Sequence, residues 1–381
     1  MSMTQPDDNL TLHIISFDVP FPADYGGVID VYHKVRALHR EGVRVILHCF
    51  QYGRSEAPEL EKLCAAVYYY PRKTGWRSQL SVRPYIVQSR RSEALVHRLL
   101  QDDHPILCEG LHTTSLLSDP RLRHRKIYVR TTNVEHTYYR HLAMGERNPV
   151  KRLFFRIESW RLKRYEETLR RAAAILAISP PDAQYFAGRF GADKVAGIYA
   201  FHQYDEVVSQ PGKGEYILYH GKLDVAENFN AVMQMLPLFR QFHGMPLRIA
   251  GMHPPPFLER AIARVPNARL IANPDPDTMQ QLISNAHAHL LLTAQPTGLK
   301  LKLLAALFKG RYVIANPTMV EGTGLETLCE VGRTPEELVQ CLEKLSAQEF
   351  TANIAIQRAE LLSLHFSNQV NAKKIIRLVR E

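Results

Sequence analysis

The sequence predicts an α/β protein made of two doubly wound, Rossmann-like domains facing a cleft. Three observations carry this. Near the start, an apolar run at 10–17 leads into a turn-rich loop ending in Tyr25-Gly26-Gly27, an amphipathic helix, and a second apolar run at 43–50. Late in the chain the order recurs: an apolar run at 288–292, a Gly-bearing turn, a Leu- and Ala-rich helix, then Tyr312-Val313-Ile314-Ala315. A strand–helix–strand crossover implies a parallel sheet. Between the two, residues 203–214 lapse into polar residues with Pro211, Gly212 and Gly214, the composition of a domain boundary.

The elements follow in order. In the first helix, Val28, Val31, Tyr32, Val35 and Leu38 share one face, and Glu41-Gly42 closes it. Further strands are expected at 66–70, 106–108, 127–129, 174–178 and 195–199, with helices at 92–101 and 181–190. Residues 150–171 form one long expected helix. It carries eight Lys or Arg against three Glu, interleaved with Phe154, Phe155, Trp160, Leu162 and Leu169. The commoner explanation is a solvated basic face with its apolar side packed inward. The sharper one is peripheral contact with an anionic membrane. The second series places strands at 215–220, 247–250, 269–272, 288–292 and 312–315. Its helices fall at 229–240, 257–265, 277–285, 299–308 and 335–345. The tail from 351 is helical, in one piece or two, and its apolar spacing gives it a face to bury. The expected domains are therefore 1–205, 206–350 and 351–381.

At 381 residues the chain is long enough for two cores. Its formal charge of +10 suits an acidic partner such as nucleic acid, anionic lipid or a phosphorylated substrate. No recognised nucleic-acid motif appears, so nucleic acid is set aside. No apolar run approaches the roughly 18 residues of a membrane span. Residues 1–9 are polar and acidic, with no signal-peptide core. Five scattered cysteines without a CxxC pair point to reduced thiols in a cytoplasmic protein and to no zinc site.

The stretch Thr297-Gly298-Leu299-Lys300-Leu301-Lys302 joins a strand end to a helix start. Unpaired N–H groups and the helix dipole favour an anion there. Gly298 permits close backbone approach, and Lys300 and Lys302 add positive charge. A helix simply packed on its sheet explains the same Leu and Ala residues equally well. Gly26 and Gly27 also permit approach of a phosphate. The loop is not GxGxxG, however, and a plain tight turn is the simpler account.

Four segments together resemble the GT-B glycosyltransferases of the large retaining group often called family 4. The first is Pro22-Ala23-Asp24-Tyr25-Gly26-Gly27 with Gly42-Val43-Arg44-Val45. The second is Arg130-Thr131-Thr132-Asn133-Val134-Glu135-His136 with Ala177-Ile178-Ser179. The third is Tyr219-His220-Gly221-Lys222-Leu223 with Glu227-Asn228. The fourth is Thr297 to Gly310. The resemblance spans nearly the whole chain and is divergent. It implies that the tail 351–381 crosses back onto the first domain. It implies transfer of a hexose from a nucleotide-sugar to a hydroxyl of a glycan or lipid-linked glycan. The nucleotide-sugar is then a substrate, with no cofactor and no metal. It also implies that Gly26, Gly27, Gly221, Lys222, Asn228, Thr297, Gly298, Leu299, Lys300 and Lys302 hold the donor. His112, just after the strand at 106–108, matches a histidine the family uses near acceptor and donor sugar. It either donates a hydrogen bond or manages the acceptor proton; a surface-loop histidine is the plain alternative. Glu135 and His136 form a second candidate pair.

The chain departs from the family at charged positions. The two glutamates of the donor motif fall on Thr297 and Ala305, the arginine on Lys222, and the lysine on Glu227. An open pocket at Ala305 is the expectation that follows from a degenerate donor site. Two alternatives use the same architecture. A sugar-nucleotide hydrolase or epimerase needs a carboxylate pair, with Asp18, Asp24, Glu109 and Glu135 as candidates. A non-catalytic nucleotide-sugar-binding protein needs none.

Overall fold

A computed structural model describes residues 10–79, 81–146, 148–295 and 300–381. The chain divides into two compact units, residues 10–203 with Phe366–Glu381, and Tyr204–His365.

The first unit holds a seven-stranded parallel sheet of order β3-β2-β1-β4-β5-β6-β7. Its strands are β1 (Thr11–Ser16), β2 (Arg44–Gln51), β3 (Ala66–Pro71), β4 (Ile106–Glu109), β5 (Ile127–Thr131), β6 (Ala174–Ala177) and β7 (Val195–Gly197). The second unit holds a six-stranded parallel sheet of order β10-β9-β8-β11-β12-β13. These strands are β8 (Ile217–His220), β9 (Leu247–Gly251), β10 (Ala268–Ala272), β11 (Ala288–Leu291), β12 (Tyr312–Ala315) and β13 (Glu330–Val331). The central strands are buried on both faces, which is why they appear in the sequence as continuous apolar runs rather than alternating ones. In each sheet the chain winds outward from its first strand and then reverses. The reversal lies between β1 and β4 in one unit and between β8 and β11 in the other. Ligands of open α/β sheets bind beyond the carboxyl ends of the strands at such a switch point.

Three expected elements differ. The helix expected over 150–171 is α-helical at Pro149–Tyr165 and tightens to a 3-10 helix at Glu166–Arg171. The helix expected at 229–240 begins earlier, at Ala226, and breaks between Met235 and Leu238, where Pro237 lacks the N–H to continue it. The tail divides. Asn368–Arg380 packs on the first unit, burying Ala372, Ile375 and Val379 in its core. Ala352–His365 stays with the second unit because its buried Arg358 guanidinium caps the helix Leu301–Lys309. That group donates to Leu307 O at 3.3 Å, Gly310 O at 2.9 Å and Arg311 O at 2.5 Å.

A four-residue ion cluster lies inside the first unit. Lys34 Nζ donates to Asp30 Oδ2 and to both Glu109 oxygens, each at 2.8 Å. Arg130 donates to Asp30 Oδ1 at 3.2 Å and to the Ile198 carbonyl, and the Phe201 N–H also donates to Asp30, at 2.8 Å. All four side chains are buried. Burial alone raises the Asp30 carboxyl, but Arg130 and Lys34 more than offset it and hold it well below the usual carboxylate range. Glu109→Gln leaves the cluster with one uncompensated buried positive charge. The expected loss is about 3–5 kcal/mol, roughly a 10 °C fall in the melting transition for a unit of this size. Lys34→Met with Glu109→Leu removes both charges together and is expected to recover most of that loss in scanning calorimetry.

Candidate functional site

At the switch point of the second sheet, β8 ends at His220 and the chain turns through Gly221 and Lys222 into the helix Ala226–Met235. The turn is fixed by Gly221 N donating to Ala250 O at 3.1 Å and Leu223 N to Met252 O at 2.9 Å. Gly251 permits this approach, since a Cβ there would stand 1.8 Å from Gly221 O. Asn228, expected in a loop, lies in the first turn of the helix and ties the site together. Its Nδ2 donates to Lys222 O at 2.8 Å. Its Oδ1 accepts from Tyr219 Oη at 3.1 Å and from Lys302 Nζ at 2.5 Å.

Lys302 also donates to Tyr219 Oη at 3.3 Å, from the first turn of the helix Leu301–Lys309. Glu227 accepts from the Thr293 hydroxyl at the end of β11 and stands 3.8 Å from Lys300 Nζ. Thr293 is held in turn by Asn316, whose Oδ1 accepts from its N–H at 3.1 Å and whose Nδ2 donates to its carbonyl at 2.7 Å. Burial lowers the Lys302 ammonium to about 8, with Glu227 pulling up and Lys300 pushing down. Burial lowers Lys300 as well, against the pull of Glu227. Two part-buried ammonium groups thus converge on a helix N-terminus, with one carboxylate partnering them.

His220 lies within the same motif, and its burial carries no sequence signal. It is nine-tenths buried, and neither ring nitrogen has a partner. Burial keeps it neutral, with His289 and Lys302 lowering it further. Buried polar groups without partners are costly and cluster at functional sites.

The other expected donor residues divide. Lys222 is exposed, 3.7 Å from Asp224. Thr297, Gly298 and Leu299 lie outside the described residues. Ala305 corrects an expectation: it does not face an open pocket but packs with Tyr216, Leu218, Ala250 and Ile283. Small size at that position serves helix-on-sheet packing.

At the switch point of the first sheet, Gly26 and Gly27 open the helix Gly26–Arg40. A Cβ on Gly27 would lie 2.7 Å from the Phe17 ring, so packing accounts for this glycine. The preceding loop is pinned at both ends. Tyr25 Oη donates to Asp18 Oδ2 at 2.9 Å, and Arg54 donates to Asp24 Oδ1 at 2.8 Å. His112 follows Gly110, whose φ of 68° and contact with the imidazole both require glycine. The His112 ring packs on Phe17, centroids 5.3 Å apart, and its Nδ1 is buried without a partner. Burial, with Arg90 and Arg72 nearby, holds it well below the usual imidazole range, so it is neutral at pH 7. Arg90 carries no sequence signal, yet it is buried and pinned by Phe17 O and Ile86 O, both at 2.8 Å.

The carboxylate candidates do not assemble into a pair. Glu109 belongs to the ion cluster, and Asp24 and Asp18 are engaged as described. Glu135 is buried and raised to about 8 by burial, with Glu166 and Asp182 adding to it. His136 turns instead to Glu166, at 2.8 Å. A cavity of about 470 Å³ in this unit is lined by Lys73, Arg83, Arg91 and Arg121 together with Glu93 and Asp119. Among the described residues, no cluster of His, Cys, Asp and Glu is arranged to hold a metal ion, and no helix is long and apolar enough to cross a membrane.

No family model matches the sequence. A 149-residue stretch, 37% of this chain, is 27% identical to an uncharacterised 44.6 kDa protein in the cps region of Klebsiella pneumoniae, of which it spans 38%. The whole chain is similar to solved structures. A glycosyltransferase from Rickettsia africae aligns with a TM-score of 0.62 at 12% identity, covering 98% of each chain. S. aureus TarM, as a variant in complex with fondaparinux, alpha-GlcNAc-glycerol and UDP, aligns with a TM-score of 0.67 at 8% identity, covering 98% of this chain and 100% of that one. Anabaena HepE, in complex with UDP and glucose, aligns with a TM-score of 0.62 at 13% identity, covering 97% and 99%. At these identities the likeness shows the fold, and the fold is GT-B.

The packing of Ala305 generates a direct test. Ala305→Glu places a carboxylate against the sheet core and is expected to cost about 3–5 kcal/mol, the range for an uncompensated buried charge. Thermal denaturation measures it; an unchanged melting temperature means that this face of the helix is open.

Proposed function

We propose that this GT-B protein is a glycosyltransferase that moves a hexose from a nucleoside-diphosphate sugar to a hydroxyl of a glycan or lipid-linked glycan, with retention at the anomeric carbon. The observation that carries the proposal is the pair of part-buried lysines, Lys300 and Lys302, at the switch point of the second sheet. Breaking the sugar–phosphate bond leaves negative charge on the departing diphosphate. Positive charge fixed in place before reaction stabilises that charge most where water is excluded. Lys302, held by Asn228 and Tyr219, is such a group. UDP in the TarM and HepE structures, which share the fold, supports a nucleoside diphosphate as the ligand class. The nucleotide-sugar is a substrate, and no further cofactor is proposed.

The charge pattern favours exchange over loss. The family's lysine position carries Glu227, and lysines stand at 300 and 302, close to where the family's motif has a glutamate. Glu227 and Lys300 are neighbours, so the site keeps a cation–carboxylate pair with its ends reversed. In the first unit, a neutral His112 suits hydrogen bonding to a sugar hydroxyl better than proton abstraction, because its lowered pKa makes it a weak base. The cavity bordered by Lys73, Arg83, Arg91 and Arg121 suits an acceptor bearing an anionic group. The reduced cysteines fit a cytoplasmic setting. A hydrolase or epimerase is less well supported, since Asp18, Asp24 and Glu109 are engaged elsewhere and leave Glu135 without a partner among the candidates. A non-catalytic binding protein is the remaining alternative, and turnover decides it.

Calorimetric titration with UDP and GDP tests the site. Lys302→Met is expected to weaken the better ligand by about 1.5–3 kcal/mol, the range for hydrogen bonds to charged groups. Lys222→Ala is expected to change affinity by less than about 1 kcal/mol, because that side chain is solvated. Equal affinity in Lys302→Met and the parent removes Lys302 from the site. Release of nucleoside diphosphate from a nucleotide-sugar panel, measured in parallel, distinguishes an enzyme from a binding protein.

The pH dependence has a definite sign. An anion binds the ammonium form of Lys302, which is populated below pH 8 and lost above it. Affinity is therefore expected to be level below pH 8 and to fall as pH rises beyond it. The Lys302→Met variant is expected to lack this fall; a parent affinity flat to pH 9.5 argues against the assignment.

A further inference from the structure

The helix Pro149–Tyr165 has two apolar faces. Its inner face buries Glu158, Leu162 and Tyr165. Its outer face presents Val150, Leu153, Ile157 and Trp160, with 75%, 59%, 41% and 57% of their surfaces exposed. Their spacing of three, four and three residues places them in one stripe. Met144, just before the helix, is 77% exposed. Val82, 90% exposed, belongs to a segment held beside the helix by Arg161, which donates to Gln79 O at 3.0 Å. A soluble surface leaves single apolar residues exposed, whereas a contiguous set marks an interaction face.

Within the helix, the exposed charges beside the stripe are of one sign; Glu146, just before it, accepts from Asn148 N at 2.9 Å. Residues 149–165 carry six Lys or Arg and one carboxylate, Glu158. That carboxylate is turned inward and engaged by Tyr85 N at 2.6 Å and Arg161 at 2.8 Å. Lys151, Arg152, Arg156, Lys163 and Arg164 are exposed. The Arg164 guanidinium lies 4.8 Å from the centre of the Trp160 ring, so a cation and an amphipathic ring share the outer face.

We propose that this face docks on an anionic lipid surface. The stripe enters the boundary between headgroups and acyl chains, and the flanking Lys and Arg meet the lipid phosphates. A second copy of the chain is the wrong occupant, because a two-fold pairing through this stripe sets its cations against themselves.

Co-sedimentation of the full chain with vesicles tests the proposal. Binding is expected to vesicles of phosphatidylcholine mixed with an equal part of phosphatidylglycerol, and not to phosphatidylcholine alone. Binding should weaken as salt rises from about 0.1 M to 1 M, where screening shortens from roughly 10 Å to 3 Å. In a Trp76→Phe variant, Trp160 emission should shift to the blue on the mixed vesicles. Val150→Glu with Leu153→Glu changes two exposed side chains; it should keep the parent melting temperature and bind at least tenfold more weakly. Arg152→Gln with Arg156→Gln tests the charges separately, with about fivefold lost for each cation removed. Equal binding to neutral and mixed vesicles overturns the proposal. So does parent-like binding by either folded double variant, or a parent dimer in sedimentation that Val150→Glu with Leu153→Glu dissociates.

Discussion

The buried ammonium of Lys34 is the interaction on which the first unit depends. It joins Asp30 on its own helix to Glu109 at the end of β4, while Asp30 reaches on to Arg130 of β5 and to the Phe201 backbone. Two cations and two carboxylates fully withdrawn from water are tolerable only because each is met by an opposite charge within hydrogen-bond distance. The chain order then sets a candidate residue beside the cluster. Glu109 is followed by Gly110, whose left-handed conformation turns the backbone so that His112 packs on Phe17. The cluster thereby fixes the strand end from which that histidine is positioned.

The second unit solves a similar problem with fewer charges and in a more open place. Lys300, Lys302 and Glu227 are three ionisable groups with one more positive charge than negative. Burial has already pushed the Lys302 ammonium down. A group whose charged form is strained by desolvation gains most when an anion arrives, because the anion replaces the lost hydration. The neighbouring His220, buried with both nitrogens unpartnered, adds neutral polar capacity in the same region. These features give the proposed donor site its physical basis, which packing of the helix on its sheet does not require. Part of the same helix does serve packing, however, since Ala305 faces the core.

The fold could be read from the sequence because parallel strands buried on both faces appear as unbroken apolar runs between helices. The run at 288–292 and β11, and the run at 43–50 and β2, differ by a residue or so. β13 could not be read in this way. It is two residues long and pairs only with β12, so no periodicity announces it. The ion cluster was missed for a different reason. Asp30 and Glu109 are distant in sequence, and a buried carboxylate has the same letter as a solvated one; Glu109 was even a candidate for catalysis. Arg90 and His220 escaped likewise, as their meaning lies in burial and in the missing partner. Motif spacing located the second switch point at Gly221 and Asn228, but not the way Asn228 gathers Lys302, Tyr219 and the Lys222 carbonyl.

The helix Pro149–Tyr165 shows why composition alone cannot separate a solvated basic helix from a docking one. Both have many lysines and arginines and a few aromatics. The difference lies in which apolar residues the fold consumes. Leu162 and Tyr165 are taken into the core of the first unit, and had the other apolar residues followed them inward, the basic face would need no partner. Instead, Val150, Leu153, Ile157 and Trp160 point away from the buried face. The single carboxylate, which on the outer face would repel an anionic surface, is the one charged side chain of the helix that is fully buried. Burying a carboxylate costs free energy that two hydrogen-bond donors, Tyr85 N and Arg161, must offset. The outcome is an outer face of apolar and cationic side chains only, a combination that lowers its free energy best where hydrocarbon and negative charge lie within a few ångströms of one another.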